Sequence, residues 1–275
     1  MSSNPYTMLI TSVASQSKAV PNLNEGPNTV LVGRGASPTI WPVDISELLA
    51  VSYDQVATGT RPSYRWPTRR EAAFTLQAIE GSADVDKLRK VASSAANDSS
   101  IMVQITVYHG TDPFTSYGYI TAIAPRAFEW KDGNVLLEVH AVLISPWVKF
   151  VEKLTAGGTF ELHGDMPGDV YYKIGRGGGS FTIECPGYTT GTYAFKNTYG
   201  AGDIMEADTT RRLYSDGVTN YQYHTGGTQG SGTYFLEKIG LKSYSGSDNQ
   251  YTLSIDGAFQ YANILDNYSQ PVWSV

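Results

Sequence analysis

One stretch limits what this chain can become. From Ala83 to Ala96 the sequence Ala-Asp-Val-Asp-Lys-Leu-Arg-Lys-Val-Ala-Ser-Ser-Ala-Ala reads as its one convincing helix, with strand patterns on both sides. Before it, Glu71 to Glu80 places Phe74, Leu76 and the pair Ala78/Ile79 on one face at period two. After it, Ile101 to Tyr108 is again strand-like. Gly81-Ser82 breaks the first strand, and the Ser82 hydroxyl is expected to cap the helix by accepting from a first-turn amide. Asp84 and Asp86 fall where the helix dipole favours negative charge, and Lys87, Arg89 and Lys90 follow toward the end that suits cations. Val85, Leu88, Val91 and Ala92 form a narrow apolar stripe. The expectation is a short amphipathic helix lying on a sheet.

The rest of the chain reads as strands. Thr7 to Ala14, Thr29 to Val32 and Ser37 to Val43 are candidates, the last two split by Gly33-Arg34-Gly35. Asp44 to Leu49 fits either one helical turn or the start of a strand through Tyr53. Residues 54–68, with Gly59, Pro62 and Pro67, read as a long loop. Ser116 to Ala124 follows the turn-like Gly110-Thr111-Asp112-Pro113, and Val135 to Ser145 follows Asp132-Gly133, a strong hairpin signal. Residues 1–148 thus predict a β-sandwich or split barrel with one helix packed on it. Ser145-Pro146-Trp147 closes that unit. Residues 151–275 then hold 20 of the 28 Gly and 13 of the 19 Tyr. Their strand candidates are Thr159–His163, Val170–Ile174, Ser180–Cys185, Thr192–Phe195, Asp203–Asp208, Arg212–Ser215, Tyr234–Ile239 and Tyr251–Tyr261. Short strands separated by Gly, Pro, Asn and Asp predict an antiparallel sandwich over 149–275.

Composition excludes several classes of function. With 41% apolar and only 17% charged residues, the chain can build a real core and suits a β-rich protein. A net charge of −6, with −5 of it in residues 151–275, is not that of a general nucleic-acid binder. The single cysteine, Cys185, excludes an internal disulfide or Cys-based zinc site and is expected to be a small buried hydrophobe. No apolar run approaches the roughly 20 residues that cross a bilayer, so no membrane partner is expected. The N-terminus lacks a basic n-region, which points to synthesis and folding in a cytoplasm.

Catalysis finds no foothold. Gly175-Arg176-Gly177-Gly178-Gly179 has no following helix and no Lys-Ser/Thr, so a flexible hairpin connection is expected there and not a phosphate loop. His109, His140, His163 and His224 show no ligand spacing, and His140 is expected in the core or at an interface. No Gly-x-Ser-x-Gly elbow exists, and no carboxylate pair has a recognisable setting. Two features stay open. Arg61, Arg65, Arg69 and Arg70, with Tyr64 and Trp66 among them, form a dense basic-aromatic patch. It suits nucleic acid or contact with another subunit, and the second is preferred because Arg, Tyr and Trp anchor interfaces. The Tyr-rich second half offers aromatics that stack on sugars or simply fill a sandwich, and no residue is singled out for carbohydrate.

The order of features resembles the distal tail protein (Dit) family of siphophages, minor tail proteins of the baseplate or tail tip. Thr68-Arg69-Arg70-Glu71 enters a strand, Gly81 precedes a helix with Lys87-Leu88-Arg89, Ile101-Met102-Val103 follows, then Tyr117-Gly118-Tyr119-Ile120 and Ser145-Pro146-Trp147. Asp208 to Gly217 looks like that family's Asp-containing strand and hairpin in its C-terminal domain. The first 60 residues depart from the family's short opening strand pair. The resemblance implies a structural protein of the virion, without enzymatic activity or cofactor. Residues 1–148 would be a tail-tube-like belt domain closing into a hexameric ring around a DNA channel, and 149–275 a galectin-like β-sandwich projecting outward. The ring would join the major tail tube protein and the tape-measure protein to the tail hub, or tail-associated, protein. Receptor-binding proteins or fibres would dock outside, and DNA would pass only in transit, which an acidic or neutral lumen suits. In this frame Arg61, Arg65, Trp66, Arg69 and Arg70 are the expected subunit interface. The rival readings are a carbohydrate-binding module or adhesin for host-wall glycans, and a glycan-degrading enzyme.

Overall fold

The computed structural model describes residues 5–14, 21–50, 70–98, 101–126, 133–184, 191–195, 205–208, 213–215, 222–223 and 249–273. The chain is mainly β. It divides into two compact units, one built on Pro21–Trp147 with the first strand and the closing segment from Ser269, the other on Val148–Tyr268.

In the first unit the elements run β1 (Tyr6–Ala14), β2 (Thr29–Val32), β3 (Ile40–Asp44), α1 (Ser46–Leu49), β4 (Arg70–Ile79), α2 (Ala83–Asn97), β5 (Ile101–His109), β6 (Asp112–Arg126) and β7 (Asn134–Leu143). All strand pairs are antiparallel, in the order β2-β1-β5-β6-β7-β4-β3. The outermost strands, β2 and β3, are consecutive in sequence. Gly33, at φ 68°, turns the chain between them, and its amide donates to the Ile40 carbonyl at 2.7 Å. The sheet therefore curls until its two ends meet at that hydrogen bond, a split barrel. Met8, Ile10, Phe74, Leu76, Ile105, Val107, Phe114 and Val139 are buried in it.

β4 and β5 are not neighbours, so the chain between them must cross the sheet, and α2 makes that crossing. It packs on β1, β2, β5 and β6. Val85, Leu88, Val91 and Ala95 are its buried face, so the stripe ends on Ala95 and not on Ala92. Leu88 is fully enclosed. Leu88→Ala is expected to cost about 2–4 kcal/mol in urea unfolding of this unit, because the void is walled by sheet and cannot collapse.

Three details of the helix differ from expectation. Ser82 stands at the N-cap with φ −69° and ψ 149°, and its carbonyl accepts from the Val85 amide at 3.1 Å. Its hydroxyl, however, makes no capping bond and is buried without a partner. The helix also runs on to Asn97, which leaves Lys87, Arg89 and Lys90 in its middle and no basic residue in its last turn. Arg89 lies 3.6 Å from Asp86 on the exposed face. Asp84 holds a tertiary contact as well as a dipole position, since it accepts from the Thr39 hydroxyl at 2.6 Å. Of the two options for residues 44–49, the helical turn is the one formed.

In the second unit the elements are β8 (Trp147–Leu154, its first residue still in the first unit), β9 (Gly158–Glu161), β10 (Met166–Glu184), β11 (Gly191–Phe195), β12 (Met205–Asp208), β13 (Leu213–Ser215), β14 (Gln222–Tyr223) and β15 (Gln250–Tyr268). β10 and β15 form an antiparallel spine of two 19-residue strands. β9 pairs with β15. β12 and β11 take successive parts of the outer edge of β10, and β13 and β14 extend from β12. Val170 faces Ile264 and Tyr172 faces Ala262 across the spine. With Phe160, Leu162, Tyr251 and Leu253 they make one core, in which Phe160 and Tyr251 stack at 5.3 Å as a cross-strand pair. Tyr171, Leu265 and Val148 form a smaller cluster.

The glycine-rich run is not a hairpin connection. Gly175 to Gly179 continues β10, and the residues on both sides of it pair with the same strand, Ile174 with Phe259 and Gly179 with Gly257. Five steps along β10 thus match two along β15, a bulge that absorbs the extra length without reversing the chain. β8 is a second departure, because Ser145-Pro146-Trp147 reads as a terminus although the residues after it alternate as a strand. The candidate Tyr234–Ile239 lies outside the described residues.

Candidate functional site

The basic-aromatic patch is the strongest candidate from sequence, and Arg70 is the member the structure describes. Arg61, Tyr64, Arg65, Trp66 and Arg69 lie outside the described residues. Arg70 opens β4, opposite Leu143 of β7. It is 8% exposed. Its Nη1 donates to the Ala50 carbonyl at 2.9 Å, just beyond α1, and its guanidinium lies 5.5 Å from the centre of the fully buried Trp147 ring. Glu47 of α1 accepts from the Ala73 amide of β4 at 3.3 Å, so α1 is tied to the same strand. These contacts are all internal to one chain. They give Arg70 a packing role within its own chain, a buried cation against a carbonyl and an aromatic face. Trp147 has a part in this that its reading as a unit terminus does not suggest.

The histidines separate. His140 is exposed, with Nε2 3.4 Å from Glu138, because it occupies the outward parity of β7; of the two placements expected for it, the core is excluded. His163 follows β9, with Nδ1 3.9 Å from Glu161. His109 ends β5 and meets Tyr6 at 5.5 Å and Trp273 at 5.9 Å. His224 and Cys185 lie outside the described residues. Among the described residues, no group of three His, Cys, Asp or Glu side chains could hold a metal ion, and no helix is long and apolar enough to cross a membrane.

Sequence reasoning missed the closing segment. Trp273 stacks at a tilt on Tyr6 at 5.1 Å, meets Phe114 edge-on at 5.4 Å, and donates from Nε1 to the Asp112 carbonyl at 3.2 Å. Trp273 thus fastens onto the β5–β6 hairpin and the start of β1. A lone Trp after the final strand, in Pro271-Val272-Trp273, was the signal available.

No family model matches the chain, and no curated protein matches it. Among solved structures it is similar to a chain of the phage P2 baseplate in its activated conformation with calcium, at a TM-score of 0.48 and 9% identity over 97% of this chain and 99% of that one. It is also similar to the SPP1 Dit protein, described as a paradigm of the hub adsorption apparatus in phages that infect Gram-positive hosts, at a TM-score of 0.37 and 10% identity over 95% and 98% of the two chains.

Proposed function

We propose that this protein is a structural component of a bacteriophage tail tip, with the first unit closing into a hexameric ring that connects the tail tube to the hub and frames the DNA channel. The observation that carries the reading is the order of elements in the first unit. Among the described residues, Arg70-Glu71, Lys87-Leu88-Arg89, Ile101-Met102-Val103 and Tyr117-Gly118-Tyr119-Ile120 of the Dit resemblance fall on β4, α2, β5 and β6 in that order, on one curled antiparallel sheet that α2 crosses. A protein of tube walls works by presenting surfaces of fixed shape, and a rigid split barrel suits that task. In the virion the ring would meet the major tail tube protein and the tape-measure protein on one side and the hub protein on the other. The second unit, a galectin-like sandwich in this reading, would face outward, where receptor-binding proteins or fibres dock.

The segment Arg61 to Arg69 is the proposed subunit contact, with Arg70 reassigned to the interior. Charge reversal at Arg61, Arg65 and Arg69 together, with Arg70 kept, is expected to convert the oligomer to monomers by size-exclusion chromatography with light scattering. An unchanged oligomer would remove this segment from the interface.

A further inference from the structure

We propose that Gln104 latches residues 21–26 onto the first unit as a strap that opens and closes without unfolding the sheet beneath it. The strap belongs to the connection between β1, which ends at Ala14, and β2, which begins at Thr29. That connection is far longer than an antiparallel strand pair needs. Gln104 lies in β5 opposite Thr11 of β1 and is 1% exposed. Its Oε1 accepts from the Asn22 amide at 2.9 Å, and its Nε2 donates to the Asn22 carbonyl at 2.9 Å. One carboxamide thus takes both main-chain groups of one residue, as a neighbouring strand does. Nε2 also donates to the Thr106 hydroxyl at 3.0 Å, and Thr106 shares a hydrogen with Thr115 of β6 at 2.9 Å. A buried polar row therefore runs from the latch across β5 to β6.

Around the latch the contacts are polar too. Asn22 Oδ1 accepts from the Asn24 amide at 3.1 Å. Glu25 lies 3.9 Å from Arg34, whose guanidinium stands 4.0 Å from the centre of the Tyr108 ring. Lys87 of α2 donates to the Gly26 carbonyl at 3.4 Å. No residue from 21 to 26 is buried, and Leu23 is 41% exposed. Apolar burial, the force that would make the strap part of the cooperative core, is thus small here. The polar contacts exchange for water on opening, and the row under the latch accepts water as readily. Opening is then a local event whose frequency Gln104 sets. Closed, the first unit shows Leu23 and Glu25 at this place. Open, it shows a carboxamide set to pair with main-chain groups.

The test is native-state amide hydrogen exchange in the full chain, read by NMR at urea concentrations below the unfolding transition. The Asn22 amide is expected to exchange at least about 100-fold faster than the amides bonded between β1 and β5. Its rate is expected to stay flat with urea, because local opening exposes little surface, while theirs rises. In Gln104→Leu the Asn22 amide is expected to exchange at least about tenfold faster again, with the β1 and β5 amides still the slower set. An Asn22 rate that matches theirs and rises with urea in the same way would overturn the proposal. So would an Asn22 rate that Gln104→Leu leaves unchanged. Should Gln104→Leu not fold, the urea dependence in the unaltered chain decides alone.

Discussion

Gly118→Val is expected to leave the first unit without cooperative unfolding, and Gly118→Ala to cost it more than about 3 kcal/mol, beyond the usual range for overpacking. Gly118 lies in β6 between Val103 of β5 and Leu143 of β7. A Cβ there would collide with the Val142 carbonyl oxygen and come within 2.8 Å of the Leu143 Cα and 2.9 Å of the Val142 carbonyl carbon. Every one of those atoms is backbone, so no rotamer change relieves the clash. The only response is to part β6 from β7, beside the irregularity between Ile120 and Ala122 where their register already shifts. A loss of this size is a large fraction of the stability of a typical domain, and the bulkier valine adds to it. Gly26→Ala is the control, since nothing lies within 4 Å of the added atom, and it is expected to change stability by less than about 0.5 kcal/mol. Urea titrations followed by near-ultraviolet circular dichroism report both.

Arg70→Glu is expected to destabilise the same unit by about 3–5 kcal/mol, the cost of leaving a buried charge uncompensated. The substitution removes the donor to the Ala50 carbonyl and sets a carboxylate against that oxygen. It also replaces the cation over the Trp147 ring with a charge that the ring face repels. Arg70→Met keeps the stem and most of the volume, so its cost is expected to be smaller than that of the reversal. Urea unfolding of the three chains at equal concentration measures this order. Unchanged stability of the Arg70→Glu chain, together with an altered oligomeric state, would return Arg70 to the subunit contact.

These two residues show what a sequence exposes and what it hides. The helix α2 was legible because its spacing, its acidic first turn and the flanking strands all agreed. The strands of the first unit were legible for the same reason, and Gly33 and Gly133 marked turns through positive φ. Gly118 was visible only as part of a Tyr-Gly-Tyr run, since a close approach between backbones leaves no local pattern. Arg70 sits in a basic run that reads as surface, and only the pairing of β4 with β7 and the position of Trp147 enclose it. The glycine run at 175–179 misled because glycine serves turns and bulges alike. Which of the two forms depends on whether the next segment returns to the same partner strand, a tertiary fact.

The ring is the central claim, and mass by light scattering with negative-stain imaging of the same sample tests it most directly. The expected result is a particle of about six chains with a central hole. A single chain at every concentration, with no ring in any image, would contradict it.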